Sequence, residues 1–385
     1  MNFVSKNTLS IPQALYIHFP WCLSKCPYCD FNSYALANKS LIAAYVNQLL
    51  IDLGNTAKDC PNKELISIYF GGGTPSLLLP RMVVTILERI NKLFDCTPEI
   101  EITLEANPGT IDLPLCQKFR EAGVNRLSLG IQSFSDKKLQ DINRIHSAKE
   151  ALAAVKAVKG AGFANFNLDL MYGLPEQTVN DAIDDLKIAL DFAPPHVSWY
   201  QLTLEKPHFL PGITLSQLPQ GEKLWDIQQA GQECLAAHGL KQYEVSAYAQ
   251  SLVDRCKHNM NYWAYGDYIG VGAGAHGKVT SSDYAVKRYE KIAHPSKYLN
   301  AESFFESEEL VAKEKIPLEF MLNALRLYQP ISFDLFQKHT GFTIDIIKKQ
   351  LQSAENLGLI ELREESIYTT EHGKNFLNDL LEFFL

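Results

Sequence analysis

The chain has 385 residues, of which 46% are hydrophobic and 21% are charged. This composition excludes a disordered chain and is sufficient for one large hydrophobic core and a smaller second one. The formal net charge of −8 disfavours a general nucleic-acid binder, which usually carries a basic face. We therefore expect no nucleic-acid partner.

No apolar run in the sequence approaches the roughly 20 residues that a membrane-spanning helix needs. The N-terminal stretch MNFVSKNTLSIPQ also lacks the apolar segment of a signal peptide. Both observations predict a cytoplasmic protein without a transmembrane segment. Peripheral contact with a membrane protein stays open.

Six short, β-rich apolar runs alternate with helix-period stretches over the first half of the chain. The strand-like runs are residues 14–19, 65–70, 100–104, 126–131, 166–171 and 197–204. The helix-like stretches between them are residues 41–53, 81–94, 115–122, 148–161 and 179–192. This alternation predicts an α/β fold with a parallel sheet, and six such units fit a partial (β/α)6 barrel.

Four of the strand-like runs end in polar or glycine-rich motifs. These motifs are FGGGTP (70–75), LEANPG (104–109), LGIQSF (129–134) and LDLMYGLP (168–175). In a βα barrel all of these strand ends open on one face, where active sites lie. The sequence therefore predicts a functional site at that end of the barrel.

The pattern changes near residue 246. The motifs KHNMNYW (257–263) and GDYIGVGAGAHG (266–277) form a connection rich in glycine and aromatic residues, without a clean helical period. Beyond residue 301 the chain reads as mostly helical, with a short hairpin before a final helix. We predict a barrel core over residues 1–245, a connecting segment over 246–300 and a winged-helix-like accessory domain over 301–385.

Three of the eight cysteines lie close together, in the segment IHFPWCLSKCPYCDF (17–31). Cys22, Cys26 and Cys29 form a C-x3-C-x2-C pattern directly after the first predicted strand. Three thiolates on one loop can hold three irons of a cubane cluster and leave the fourth iron open to a ligand.

A zinc site is the alternative to a cluster. It would need a fourth ligand for the three thiols, such as His18 or Asp30, and a remote thiol and imidazole are available at Cys256 and His258. The five cysteines outside the loop occur singly, and most of them are predicted to be small buried hydrophobes.

Together, the cysteine loop, FGGGTP, LEANPG and LDLMYGLP resemble the radical S-adenosylmethionine superfamily. More narrowly they resemble its coproporphyrinogen III oxidase-like branch, which contains an oxygen-independent oxidase and heme chaperones. The resemblance covers nearly the whole chain and implies a [4Fe–4S] cluster whose open iron binds S-adenosylmethionine. In the superfamily, an electron from the cluster cleaves the bound cosubstrate to a 5′-deoxyadenosyl radical.

The resemblance also implies which residues contact S-adenosylmethionine. Glycine lets a backbone approach a ligand closely, so the glycine run at a strand end suits such a site. The loop GDYIGVGAGAHG does not have the spacing of a dinucleotide-binding loop and resembles the segment that returns to the barrel mouth. The implied contacts are Tyr16, Tyr28, Gly72, Gly73, Thr74, Glu105, Gln132, Arg144, Asp169, Thr203 and His276.

Two features separate the heme chaperones from the oxidase. The oxidase has a further cysteine two residues after the third, and this chain has Phe31 there. The oxidase also has a long N-terminal arm, whereas about thirteen residues precede the first predicted strand here. Both departures match the chaperone branch, and coproporphyrinogen III oxidation remains the alternative function.

The motif KHNMNYW resembles one that is associated with heme binding in the chaperone branch. A neutral imidazole is a common axial ligand of heme iron, and flanking aromatic rings suit a flat macrocycle. The heme-binding candidates are His258, Asn259, Tyr262 and Trp263, with His276 and Cys256 as alternative ligands.

The family resemblance further implies partners. These are heme itself, client hemoproteins of respiration, an electron donor and a second copy of the chain in a homodimer. Whether S-adenosylmethionine cleavage is needed for heme transfer, and thus whether the protein is an enzyme, stays open.

Overall fold

The computed structural model describes residues 11–60, 64–204 and 210–385. Residues 1–10 lie outside the described residues. Two predictions fall largely on them: that no signal peptide and that no long arm precedes the first strand.

Six parallel strands and the helices between them form the centre of the molecule. The strands β1–β6 are Gln13–Phe19, Glu64–Gly72, Asp95–Ala106, Arg126–Gln132, Asn165–Tyr172 and His196–Gln201. The helices α1–α7 are Ser40–Lys58, Pro80–Leu93, Leu113–Glu121, Asp136–Asp141, Ala148–Gly160, Val179–Leu190 and Glu222–Ala237. The predicted βα alternation is confirmed, because every predicted strand and helix of this region overlaps an observed one.

Local signals in the sequence start several of these helices. Ser147 and Glu150 form a capping box at the start of α5, and Thr178 and Asp181 do the same for α6. Each capping side chain accepts a hydrogen bond from a backbone N–H that has no partner inside the helix. Such caps place the helix starts directly after the loops that line the barrel mouth.

The sheet continues on both sides of the six central strands. The additional elements are β7 Lys241–Glu244, β8 Ala247–Ala249, α8 Lys257–Trp263, β9 Asp267–Val271, β10 His276–Thr280, β11 Val286–Lys291, α9 Pro295–Leu299 and β12 Phe305–Leu310. The strand order is β12-β11-β10-β9-β1-β2-β3-β4-β5-β6-β8-β7. β9 pairs parallel with β1, and the outer strands pair antiparallel.

This extended sheet changes two predictions about the second half of the chain. The segment 246–300, predicted to lack a helical period, contains α8, which is formed by KHNMNYW itself. The region beyond residue 301, predicted to be mostly helical, begins with strand β12 of the main sheet. Because glycine and polar residues interrupt the apolar pattern in both segments, hydrophobic periodicity did not predict either element.

The C-terminal region packs around its own hydrophobic core. Its elements are α10 Ile316–Ala324, β13 Ile331–Ser332, α11 Phe333–Thr340, α12 Lys348–Asn356, β14 Ile360–Arg363, β15 Ser366–Thr369, α13 Glu371–Asn375 and α14 Leu377–Glu382. The three short strands form an antiparallel sheet in the order β13-β15-β14. Helices followed by a small hairpin agree with the predicted accessory domain.

Short 3-10 helices occupy several loops: Pro75–Leu77, Pro108–Thr110, Leu215–Gln217, Leu252–Asp254, Lys313–Lys315 and Ile344–Ile347. Among the described residues, no helix is both long enough and apolar enough to cross a membrane.

Candidate functional site

The cysteine loop follows β1 at the carboxyl end of the parallel strands. Two short strands, Trp21–Cys22 and Tyr34–Ala35, pair in parallel and close the base of the loop. Within it, the Cys29 N–H donates a hydrogen bond to the Cys26 carbonyl at 3.1 Å. The three cysteines are free thiols and line a cavity of about 340 Å³, which we call the cysteine cavity.

The donor set of the cysteine cavity fits an iron–sulfur cluster better than a zinc ion. No group of three His, Cys, Asp or Glu side chains within the described ranges could hold one metal ion. A single zinc would require each sulfur about 2.3 Å from one point, whereas cluster cysteines bind different irons and lie further apart. The His18 ring, one candidate for the fourth zinc ligand, is hydrogen-bonded to the Tyr16 hydroxyl at 3.0 Å and to the Asn32 carbonyl at 2.8 Å.

Burial sets the state of the free thiols. It raises the pKa of Cys22 and of Cys29, so that both are neutral thiols at pH 7 when no metal is bound. A metal that bound these sulfurs as thiolates would therefore displace their protons. The Arg144 guanidinium places a positive charge beside the sulfur of Cys26, because its Nη1 donates to Cys26 Sγ at 3.6 Å.

The glycine segment crosses directly over the cysteine loop. Gly73 N–H donates to the Phe19 carbonyl at 2.7 Å, and Thr74 N–H donates to the Trp21 carbonyl at 2.8 Å. A Cβ on Gly73 would lie 2.6 Å from the Trp21 oxygen, and Gly72 has a φ of +109° with the His18 ring where a Cβ would be. Because Gly72 and Gly73 have no side chains, neighbouring protein atoms can approach their backbone closely. Gly72, Gly73 and Thr74 also line the cysteine cavity.

Two carboxylates, Glu105 and Asp169, line the same cavity as the cysteines. The Tyr69 hydroxyl donates to Glu105 Oε1 at 2.9 Å and the Gly72 N–H donates to Oε2 at 3.2 Å. Burial raises the pKa of Glu105 to about 7, with the nearby Asp169 as a further cause. Burial also raises the pKa of Asp169, which accepts hydrogen bonds from Ser128 at 3.1 Å and Asn167 at 2.7 Å.

Gln132 at the end of β4 and Arg144, which follows α4, line the same cavity. Gln132 has a φ of 69° and lies at a register shift between β4 and β5. This irregularity redirects its side chain, whose Oε1 accepts a 2.6 Å hydrogen bond from the Tyr200 hydroxyl. Arg144 Nη2 donates to the Gly130 carbonyl at 2.7 Å, which fixes the guanidinium beside Cys26.

The structure therefore gathers most of the predicted cosubstrate residues, and it separates three of them. Tyr28, Gly72, Gly73, Thr74, Glu105, Gln132, Arg144 and Asp169 line the cysteine cavity. Tyr16 and His276 line a second cavity, and Thr203 lines a separate depression near the end of β6.

Sequence reasoning overlooked Tyr69, Ser128 and Tyr200, which also line the cysteine cavity. The alternation of side chains along β2 gives a sequence signal for Tyr69. Residues 67 and 69 point to the same face of the sheet, so the face on which Tyr69 lies can be assigned from the sequence.

The second cavity has a volume of about 600 Å³ and adjoins the first. His258, Asn259, Tyr262 and Trp263 of helix α8 all line it, so the structure brings the four heme-binding candidates together. Four residues line both cavities and form what we call the shared wall: Phe31, Tyr69, Gly72 and Glu105.

His258 lies against the aromatic rings of the barrel interior. Its ring centroid is 4.8 Å from that of Tyr69 and 6.0 Å from that of Tyr16. Ser67 Oγ lies 3.4 Å from Nδ1, and Nε2 has no hydrogen-bond partner in the described part of the chain. Burial, with a contribution from Arg126, lowers the pKa of His258 to about 4, so the imidazole is neutral at pH 7 and suited to bind a metal.

The two alternative heme ligands lie in different surroundings. Cys256 is 1% exposed, does not line the second cavity and donates to Glu101 Oε1 at 3.5 Å. His276 lines that cavity at its exposed rim, with Nε2 3.8 Å from Glu290 Oε1.

Comparisons with known proteins agree with this geometry. The profile of the radical SAM superfamily matches residues 16–189, and that of the HemN C-terminal domain matches residues 311–376. The fold is similar to that of coproporphyrinogen III oxidase (HemN) from Escherichia coli, with a TM-score of 0.83 and 20% identity over 98% of this chain and 91% of that one. At this identity the similarity shows the fold alone.

Full-length relatives are more similar in sequence. Proteins named heme chaperone HemW are 44% identical in Haemophilus influenzae, over 97% of this chain and 98% of the relative, and 45% identical in Escherichia coli over the same shares. The protein of that name in Bacillus subtilis is 31% identical over 97% of this chain and 99% of its own length. The chain therefore belongs to the radical SAM superfamily and, within it, to the HemW family.

Proposed function

We propose that this chain is a heme chaperone, which binds a [4Fe–4S] cluster, S-adenosylmethionine and heme, and delivers the heme to respiratory hemoproteins. Membership of the radical SAM superfamily implies the cluster and the cosubstrate. Cys22, Cys26 and Cys29 would hold three irons of the cluster. A bound cluster supplies single electrons, which an external electron donor must replace.

The remaining residues of the cysteine cavity would hold the cosubstrate. Glu105 and Asp169 offer acceptors for its ammonium and ribose hydroxyl groups, and the backbone of Gly72 and Gly73 borders the same space. Arg144 offers a cation to the carboxylate of the cosubstrate as well as to Cys26. Tyr28 closes the cavity on the side of the cysteine loop.

The single observation that carries the heme assignment is the shared wall. It joins the cavity of the cysteines to the cavity of His258, Asn259, Tyr262 and Trp263. His258 provides a neutral imidazole with a free Nε2, and the aromatic rings provide flat apolar surface for a macrocycle. Relatives that span the whole chain carry the name heme chaperone.

Phe31 favours this function over porphyrinogen oxidation. It occupies the position where the oxidase has a further cysteine, and it lies in the shared wall with 58% of its surface exposed. A phenyl ring there adds apolar surface for heme and cannot donate a proton or hydrogen atom as a thiol can.

Anaerobically reconstituted protein tests the proposal. We expect it to bind heme stoichiometrically, as measured by the Soret band, and not to decarboxylate coproporphyrinogen III in the presence of S-adenosylmethionine and reductant. Decarboxylation with matching consumption of the cosubstrate would contradict the chaperone function. Transfer of the bound heme to an apo-hemoprotein tests delivery, and sedimentation of the cluster-loaded protein tests the homodimer that we propose with it.

A further inference from the structure

The second cavity has an unusual charge distribution for a site that would take a dianionic ligand. None of the described residues that line it is lysine or arginine. It instead contains two carboxylates, the partly buried Glu105 and the exposed Asp30. Burial lowers the pKa of both His18 and His258 to about 4, so neither imidazole is a cation at pH 7.

Several cations near this cavity are engaged with other groups. The buried Arg126 lies 3.9 Å from Glu101, and the exposed Lys25 donates to the Phe31 carbonyl at 3.3 Å. Arg288 Nη2 donates to Glu319 at 2.7 Å, and its Nη1 donates to the Tyr268 hydroxyl at 3.1 Å. Lys278 is paired with Asp267 at 2.8 Å, and both side chains are buried. Arg326 lies over the Trp263 ring, 5.0 Å from its centroid. Arg288, Lys278 and Arg326 cannot turn to the cavity without losing these partners, and Lys25 lies exposed to solvent beside Phe31.

A propionate placed inside this cavity would lose its hydration without gaining a cation. An unpaired carboxylate is costly to bury, and repulsion from Glu105 would add to that cost when Glu105 is ionised. The porphyrin ring and its iron meet no such penalty, because the aromatic side chains and the neutral His258 suit them. The favourable orientation therefore keeps the carboxylates in water.

We propose, building on the heme site proposed above, that this cavity recognises an iron porphyrin by its ring face and metal, with both propionates directed to solvent past the rim of Phe31, Tyr262 and His276. All three rim residues are exposed or partly exposed. The carboxylates then remain accessible to cationic groups of an acceptor protein, which can bind them before the iron changes ligand. The lack of lysine and arginine among the described lining residues also disfavours porphyrinogens that carry four carboxylates.

The test compares two ligands that differ only in the carboxylates: iron(III) protoporphyrin IX and its dimethyl ester. Anaerobically reconstituted full-length protein is titrated with each, and the dissociation constant is taken from the Soret band. We expect the two constants to agree within about threefold. A diester that binds tenfold or more weakly would overturn the inference, since the propionates would then contribute to binding.

Two further outcomes separate this inference from the function on which it rests. If neither ligand binds, the proposed heme function fails and the inference fails with it. If the diacid binds well and the diester does not, only the inference fails. His258→Ala serves as the control for a common site: we expect both ligands to lose affinity by a similar factor, and a diester that keeps its affinity in this variant would contradict the shared orientation.

Discussion

At the scale of single residues, the cysteine loop combines three thiols with one guanidinium. Arg144 is fixed by the Gly130 carbonyl and donates to Cys26, so a positive charge lies next to one of the proposed ligand sulfurs. Hydrogen bonds and charge at ligand sulfurs are among the factors that set the potential of iron–sulfur clusters. Arg144 therefore has a structural partner in the loop besides its implied role toward the cosubstrate.

Replacement of any one of Cys22, Cys26 or Cys29 by alanine should abolish stable cluster binding, because two thiolates leave two irons without protein ligands. We expect at least a tenfold loss of iron and sulfide after anaerobic reconstitution, measured by chemical analysis and by the charge-transfer absorbance. Cys234→Ala is the matched control, since Cys234 lies on α7 away from the cavity and should leave the cluster unchanged. A full cluster in any of the three loop variants would contradict the assignment.

The sequence predicted these residues to different degrees. The cysteines, Glu105 and Asp169 were recognisable because each belongs to a distinct motif: the cysteines follow β1, Glu105 lies near the end of β3 and Asp169 lies within β5. Tyr69 was overlooked because it precedes FGGGTP, although its hydroxyl holds Glu105 and its ring contacts His258. Thr203 was implied by the family resemblance alone, and in the structure it lines a depression separate from the cysteine cavity.

At the scale of elements, helix α8 and the glycine segment position the two cavities. Glu101 accepts hydrogen bonds from the backbone N–H groups of Lys257 at 3.1 Å and His258 at 3.4 Å, at the first turn of α8. The buried Arg126 lies 3.9 Å from the same carboxylate. This buried pair holds the first turn of α8 in the barrel and so fixes the place of His258.

The glycine segment allows a sharp test at the same scale. In Gly73→Ala the new Cβ would meet the Trp21 backbone at 2.6 Å, and backbone atoms cannot move aside as a flexible side chain can. We expect the unfolding free energy to fall by about 1–3 kcal/mol, as for overpacked sites, and the cluster content to drop. Urea denaturation and iron analysis measure the two effects.

Gly109→Ala is the matched control for that substitution. It lies in the loop after β3, and its Cβ would find no atom nearer than 3.8 Å. We expect it to change stability by less than about 1 kcal/mol. Equal behaviour of the two variants would contradict the close crossing of the glycine segment and the cysteine loop.

Periodicity predicted the parallel strands and missed the elements after residue 246. Apart from the longer β3, which is buried mainly toward its end, the strands β1–β6 are short, largely buried runs separated by helices, and such patterns are visible in sequence. β9 is buried along its whole length yet reads as a glycine-rich loop, and α8 is too short to show a helical period. Their positions depend on pairing with β1 and on the buried Glu101, which are contacts distant in sequence.

At the scale of the whole molecule, burial of ionisable groups makes stability depend on pH. Burial lowers the pKa of His146, which is 3% exposed, to about 4, whereas an unfolded histidine titrates near 6.5. The unfolded chain thus binds a proton that the native chain does not, and the stability contributed above pH 6.5 is lost as pH falls toward 4. Glu105 and Glu244, with pKa values raised to about 7, act in the opposite sense over the range from 7 to 4.5.

The contribution of one group can be isolated by a variant. Between pH 7.5 and 5.5, His146 should lower the unfolding free energy by about 1.4 kcal/mol, and His146→Gln should lack this part. Denaturant titrations of both proteins at the two pH values measure the difference. An identical pH dependence in the two proteins would show that His146 titrates normally in the native state.

The architecture as a whole unites two cavities that sequence motifs suggested separately. The βα barrel and the accessory domain were predicted from sequence, and family membership confirms them. The shared wall could not be predicted, because its residues come from the cysteine loop, β2 and β3 and meet only through the parallel pairing of the two strands and the placement of the loop beside them. Through the shared wall, the cavity lined by the α8 motif adjoins the cavity lined by the cysteine loop.

The most direct test of heme carriage beside the cysteine cavity is a heme titration of His258→Ala against the unchanged protein, with cluster absorbance recorded on the same samples. We predict that heme affinity falls at least tenfold while the cluster content and its spectrum stay the same. An unchanged heme affinity would contradict the central claim, because His258 would then lie outside the heme site.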